Sequence, residues 1–309
     1  MKTMTKTLAQ IGLLLAPAAI LYLAGYPELA HYVALGSALA AMLTLLARPM
    51  ARFALLIPLV YALAAITAQS TDGVAALIVA LVAGVGAASS LGYHRGLLAV
   101  LAAALIGSFE PAAVPDLLVR TGGLAAGSTF GALLGWALMG SVEMDNRAVS
   151  PQTALSYAVL SAVLVLVAWL TARAAGFMQG WWLPLVVAAA GEPYLDRSRS
   201  HSMARLGAAL VGALALVLLA DFIDEPLARA ALLLILLSAL VRFGSNHVGV
   251  QALLLAPVTV LLARHGGVGD AGVQHLQSTL LAGIVVFTCT LLGKWLFWKF
   301  QPDRGRVTA

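Results

Sequence analysis

Apolar runs broken by only a few polar residues fill this sequence almost from end to end. They lie at about 8–25, 30–47, 53–68, 73–91, 96–107, 121–140, 152–175, 177–191, 203–220, 226–241, 246–263 and 275–297. About 20 apolar residues make a helix long enough to cross a hydrocarbon core roughly 30 Å thick. Twelve such spans take about 240 of the 309 positions, leaving about 70 for eleven loops and two tails. That leaves no room for a sizeable domain outside the membrane. Only 10% of the residues are charged, against about 25% in soluble domains, so the chain cannot clothe a water-facing surface of its own. The expected fold is all-α, a polytopic helical membrane protein with about twelve transmembrane helices. A soluble enzyme, or a membrane ATPase carrying its own motor domain, is excluded. The runs at 96–107 and 177–191 are short for a span. They either borrow from neighbouring loops or are broken or re-entrant, and ten spans is the alternative count.

Basic residues outnumber acidic ones, 18 to 13. They stand in ones and twos at the ends of apolar runs rather than in a basic helix or tail, which points to membrane orientation and not to nucleic acid. With the N-terminus cytoplasmic, only Arg120, Arg173, Arg229 and Arg264 of the 18 fall on the outer side. This asymmetry predicts that both termini are cytoplasmic. The one cysteine, Cys289, lies inside an apolar run, so no disulfide framework or paired metal thiolate is expected. The run from Leu8 to Gly25 after Lys2 and Lys6 imitates a signal peptide, but with eleven further runs behind it we read it as a retained first helix.

The chain also resembles itself. At a constant offset of 153, Met50-Ala51-Arg52 falls on Met203-Ala204-Arg205, His94 on His247 and Gly96 on Gly249. Six spans per copy is an even number, so the copies share one orientation and are related by an axis along the membrane normal. Transporters built this way commonly place their site between the halves. The expected organisation is a first six-helix repeat at 1–140, a cytoplasmic linker at 141–151, a second repeat at 152–299 and a cytoplasmic tail at 300–309.

Catalytic signatures are absent: there is no Walker glycine loop, HExxH, GxSxG or Cys/His pair at metal spacing. No enzyme activity, metal or cofactor is expected. The richest segment is Gly180-Trp-Trp-Leu-Pro184, followed by Gly191-Glu-Pro193. Trp181 and Trp182 either anchor the chain at the lipid interface or face a cavity for a flat substrate, with Pro184 kinking the helix. Glu192, at the cytoplasmic edge, is a candidate proton acceptor, and Tyr26-Pro27 to His31-Tyr32 is the first-half counterpart. Arg52 and Arg205 each open the third span of a half. They either snorkel to the interface or reach inward to a carboxylate. His94 and His247 are either hydrogen-bonded interface histidines or titrating groups that couple protons to transport. Arg120 breaks the positive-inside trend and is a candidate for an anion exit path. Gln251 is a polar residue within a span, either a ligand or helix glue. Gly123, Gly127, Gly131 and Gly135 form a stripe without side chains, serving close packing or sliding. Pro17, Pro58 and Pro257 also lie within spans and need neighbours to satisfy the freed carbonyls.

The second half resembles the membrane domain of the fusaric acid resistance, or aromatic acid exporter, family (FUSC). The resemblance rests on Trp182-Leu-Pro184, then Met203-Ala-Arg205-Leu-Gly207-Ala-Ala-Leu-Val-Gly212, the Asn246-His247 head and the span containing Pro257. In the first half, Arg120 before a glycine-rich helix is similar to the family's arginine there. Ala208 stands where the family has threonine, and Gln277 where it has arginine. The family's large members carry cytoplasmic domains that have no counterpart here. The resemblance implies a bacterial inner-membrane exporter of aromatic carboxylic acids or related amphiphilic toxins. It implies proton coupling and work with a periplasmic adaptor; a homo-oligomer is a further candidate assembly. On this basis Arg52, Arg120, Trp181, Trp182, Arg205 and Gln251 are expected to bind substrate, and His94, Glu192 and His247 to couple protons. Competing assignments are a major-facilitator or drug/metabolite carrier and a non-transporting membrane scaffold.

Overall fold

The computed structural model describes residues 2–46, 53–89, 98–138, 151–177, 179–190, 195–223, 225–243, 248–261 and 267–300. Arg52, His94, Glu192 and His247 lie outside these residues, as do the Met50 end of the internal match and 141–150 of the expected linker.

Twelve helices and no strand are found among the described residues. They are α1 (Lys2–Leu23), α2 (Pro27–Leu46), α3 (Leu56–Ser70), α4 (Asp72–Ser89), α5 (Leu98–Phe109), α6 (Val114–Leu138), α7 (Pro151–Ala174), α8 (Trp182–Ala190), α9 (Leu195–Ile223), α10 (Pro226–Phe243), α11 (Val248–Leu261) and α12 (Val268–Phe300). Each apolar run became one helix. Among the described residues, five segments are long and apolar enough to cross a membrane: Phe53–Ser70, Val114–Ala137, Leu155–Ala174, Met203–Ile223 and Val268–Thr288. The chain is an all-helical membrane protein.

The two runs that looked short are the two shortest helices, α5 with 12 residues and α8 with 9. Both are buried. In α5 every residue from Ala99 to Ser108 is covered, as expected of a helix that is apolar all round.

Along the parallel pair α2 and α6, a side chain at Gly123 would meet Tyr32, one at Gly127 the carbonyl oxygen of Val33, and one at Gly131 that of Ser37. From the other side, a Cβ on Gly36 would sit 2.6 Å from the Leu124 carbonyl oxygen. The Ser37 hydroxyl donates to the Gly127 carbonyl at 3.1 Å. The glycine stripe therefore allows backbone-to-backbone packing on α2, the small-residue mode of membrane helices. By contrast α4 and α7 are antiparallel, with Gly84 against Ala158 near one end and Asp72 against Arg173 near the other.

The connections at 24–26, at Thr71, at 110–113 and at 175–177 gather at one end of the bundle, here called the turn end. Two of them are built alike. Gly25 and Gly176, each two residues past a helix, have φ of 87° and 66°. The Gly25 and Tyr26 N–H groups donate to the carbonyls of Tyr22 and Leu21, and those of Gly176 and Phe177 to Arg173 and Ala172. Only a residue without Cβ enters this left-handed turn freely, and the turn satisfies carbonyls that the helix end leaves open.

Packing pairs recur at a shift of six helices. The pair α2 and α6 matches α8 and α12, and α3 with α5 matches α9 with α11. The pairs α1 with α2 and α4 with α5 likewise match α7 with α8 and α10 with α11. Helix ends recur too. Asp72 and Pro226 are 154 apart, as are Val114 and Val268, which begin α6 and α12. The first six helices meet the last six through α4 on α7, α1 on α10 and α5 on α8.

Candidate functional site

The site is built around α8. Its first residue is Trp182, so Pro184 sits in the first turn and does not kink a longer helix as the sequence suggested. A missing N–H costs nothing there, because the first-turn donors have no partner within the helix. The next amide, Leu185, makes the first helical bond, to Trp181 at 3.3 Å. Neither tryptophan lies in a lipid-facing belt: Trp182 is fully buried and Trp181 is 8% exposed. Their rings meet edge to face at 5.5 Å, and the far side of Trp182 meets the His275 ring of α12 at 4.8 Å and 87°. The Gln179 amide N–H, just before α8, donates to Gln274 Oε1 at 3.4 Å. A Cβ on Gly180 would run into the Phe109 ring at the end of α5, so the two short helices touch at the turn end.

The other end of α8 is held by Arg205. This arginine, on α9, is 8% exposed and does not snorkel outward. Its Nη1 donates to the carbonyl of Ala189, in the last turn of α8. One bonded partner of Arg205 is thus a backbone carbonyl. A carbonyl at a helix end in an apolar interior must find a donor, and a cation there also suits the negative end of the helix dipole. Leu183, Val187, Leu206 and Ala282 pack α8, α9 and α12 together beside this contact.

The end of α5 is held in the same way. Arg173 Nη2 donates to the Ser108 carbonyl at 2.9 Å and pairs with Asp72 at 3.0 Å. Its guanidinium lies 5.0 Å from the Phe109 ring centre and 5.2 Å from that of Trp169, a cation–π geometry. Trp169 Nε1 donates to the Ser108 hydroxyl at 3.0 Å. Arg120 donates from Nη1 to the Glu110 carbonyl at 3.3 Å and pairs through Nε with Glu28 at 3.0 Å. The Tyr32 hydroxyl donates to Glu110 Oε2 at 3.2 Å, and the Tyr61 ring tilts against Tyr32 at 5.8 Å. The Gln69 side-chain amide donates to the Ala112 carbonyl. Two of the four arginines that broke the charge trend therefore have carboxylate partners.

Of the expected substrate residues, Trp181, Trp182 and Arg205 are brought to one short helix, at its two ends. Arg120 stands apart from them, bonded to α2 and to the α5–α6 turn. Gln251 is half-buried on α11. Sequence reasoning did not single out Glu28, Asp72, Glu110, Trp169 or His275. For the three carboxylates a signal existed: they fall on the same side as the exceptional arginines. For Trp169 and His275, both within apolar runs, there was none.

Three buried groups close to Trp182 stand out chemically. Trp182 Nε1, His275 Nδ1 and Ser278 Oγ are buried without a hydrogen-bond partner among the described residues. His275 is 3% exposed and Ser278 fully covered. No group of three or more metal-binding side chains occurs among the described residues.

Residues 166–289 match a family described as fusaric acid resistance protein-like. The match runs from within α7 to within α12 and contains α8, Arg205 and His275, and it bears out the resemblance carried by the second half. Neither a curated protein nor a solved structure matches the chain. The matched family points to a role in membrane transport or efflux.

Proposed function

From a second half similar to fusaric acid resistance proteins, we propose that the chain is a secondary exporter of aromatic carboxylic acids or related amphiphilic anions, driven by the proton gradient across the bacterial inner membrane. The observation that carries this is the surroundings of α8: two buried tryptophans at its start and a buried arginine bonded to its Ala189 carbonyl. Transporters commonly place substrate near the interface of structural repeats, and α8 meets α5 of the first six helices.

The two repeats are 1–140 and 152–299, facing the same way. The recurrence of packing pairs and of helix ends near 153 residues supports this arrangement, as do the twin glycine turns after α1 and α7. The turn end faces the periplasm. Pairing of Arg120 with Glu28 and Arg173 with Asp72 supports that orientation, since those cations no longer count as free positive charge on the outer side.

Among the arginines we assign the anion to Arg205, with Arg52 as its first-half counterpart. Arg120, neutralised by Glu28, holds the turn end together. Trp181 and Trp182 supply aromatic surface and Gln251 a polar contact, while Glu192, His94 and His247 carry protons. The chain acts as a carrier without enzyme activity, and a periplasmic adaptor completes the export path. Because Arg205 holds the end of α8, an anion that draws on its guanidinium also alters the hold on that helix, which links binding to movement.

The test is export in cells. Arg205→Ala abolishes resistance to an aromatic acid such as benzoate while the protein still inserts in the membrane at wild-type levels. Unchanged resistance in that variant removes Arg205 from the site.

A further inference from the structure

The buried polar groups between α8 and α12 have no part in the scheme above. Trp182 opens α8, and its ring stands edge-on to His275 at 4.8 Å. Ser278 lies three residues further along α12, hence about one turn away on the same face. Each presents a nitrogen or oxygen that is buried and has no hydrogen-bond partner among the described residues. Thr279, beside them, donates its hydroxyl to the His275 carbonyl at 2.8 Å and is satisfied. Buried polar atoms in native proteins are nearly always paired, and exceptions call for a functional explanation. An ionisable side chain within an apolar helix asks the same question more sharply.

The three groups share one chemical capacity. An indole N–H can only donate, a serine hydroxyl can donate, and a neutral imidazole donates from one of its two nitrogens. Three neutral donors on the facing surfaces of α8 and α12 match a group that only accepts, such as a carboxylate. They recognise it without placing a fixed positive charge in the membrane. We infer that Trp182, His275 and Ser278 form a second binding station for the carboxylate of an aromatic acid. It lies at the start of α8, whereas Arg205, which serves as the first station, bonds the Ala189 carbonyl further along that helix. The inference rests on the exporter proposal and adds His275 and Ser278 to the substrate path. The aromatic part of the ligand meets Trp181 and Trp182, whose rings are already at this end of α8.

Calorimetric titration of the intact protein in lipid nanodiscs with benzoate tests the station, with methyl benzoate as the probe that lacks the charge. Trp182→Phe, His275→Leu and Ser278→Ala each weaken benzoate binding about tenfold, the worth of one hydrogen bond to a charged group, and methyl benzoate does not bind. The ligand-free His275→Leu and Ser278→Ala proteins unfold at the wild-type temperature or above it, because each loses an unpaired buried polar atom. Wild-type affinity in all three variants overturns the station and leaves the exporter proposal standing. Weaker binding accompanied by a lower unfolding temperature without ligand also overturns it, because the groups then serve the fold. A wild-type protein that neither binds nor transports benzoate overturns both.

Discussion

An arginine inside a membrane protein has to be explained by what receives its protons, and the described arginines with assigned bonds share one answer. Arg205, Arg173 and Arg120 each donate to a backbone carbonyl at or just past the end of a short buried helix. Arg173 and Arg120 also meet carboxylates. The Arg120 pair is the cleaner test, since that side chain is 13% exposed against 34% for Glu28. Glu28→Gln should lower stability by about 1–3 kcal/mol, the cost of leaving a partly buried charged group without its partner. Arg120→Gln combined with Glu28→Gln should cost less than the sum of the two, as interacting residues do. Thermal unfolding in detergent measures both, and additive losses would deny the pair. The sequence marked Arg120 as anomalous through its charge alone. It did not show the partner, because Glu28 lies 92 residues away in the chain and no local spacing relates them.

Helices were the most legible level. Each apolar run marked one helix. What hydrophobicity could not show was where a helix starts inside its run. Within the run from 177, Gln179, Gly180 and Trp181 form a turn before α8 starts at Trp182, so Pro184 falls in the first turn of α8 and not in its middle. The glycine stripe was visible as a pattern, but its partner helix was not. Its role follows from the α2–α6 contact, and the stripe makes a sharp prediction. Gly127→Ala places a Cβ against the Val33 carbonyl oxygen, whereas a Cβ on Gly122, in the same helix, meets nothing within 4 Å. Gly127→Ala should destabilise by about 1–3 kcal/mol, the usual cost of overpacking. Gly122→Ala should stay within about 0.5 kcal/mol, as surface changes do. Equal unfolding temperatures for the two variants would mean that α2 and α6 do not approach so closely.

For the whole molecule, the sequence offered a few matches at an offset of 153, two of them arginine and histidine. Their weight was limited by the few residue types that make up an apolar chain, in which chance matches are common. Backbone geometry carries more, because helix ends, turn conformations and packing partners do not depend on side-chain identity. If the two sets of six helices face the same way, Thr71 and Glu225, which precede α4 and α10, lie on one side of the membrane. Single cysteines placed at these positions in a Cys289→Ser background should react with an impermeant thiol reagent from the same side of intact cells. Labelling from opposite sides would mean the copies are inverted. The most direct measurement concerns transport by the protein alone. Purified protein in liposomes, given radiolabelled benzoate and an imposed pH gradient, should accumulate it until a protonophore collapses the gradient, and the Arg205→Ala protein should not. Accumulation no faster than in protein-free liposomes would contradict the account.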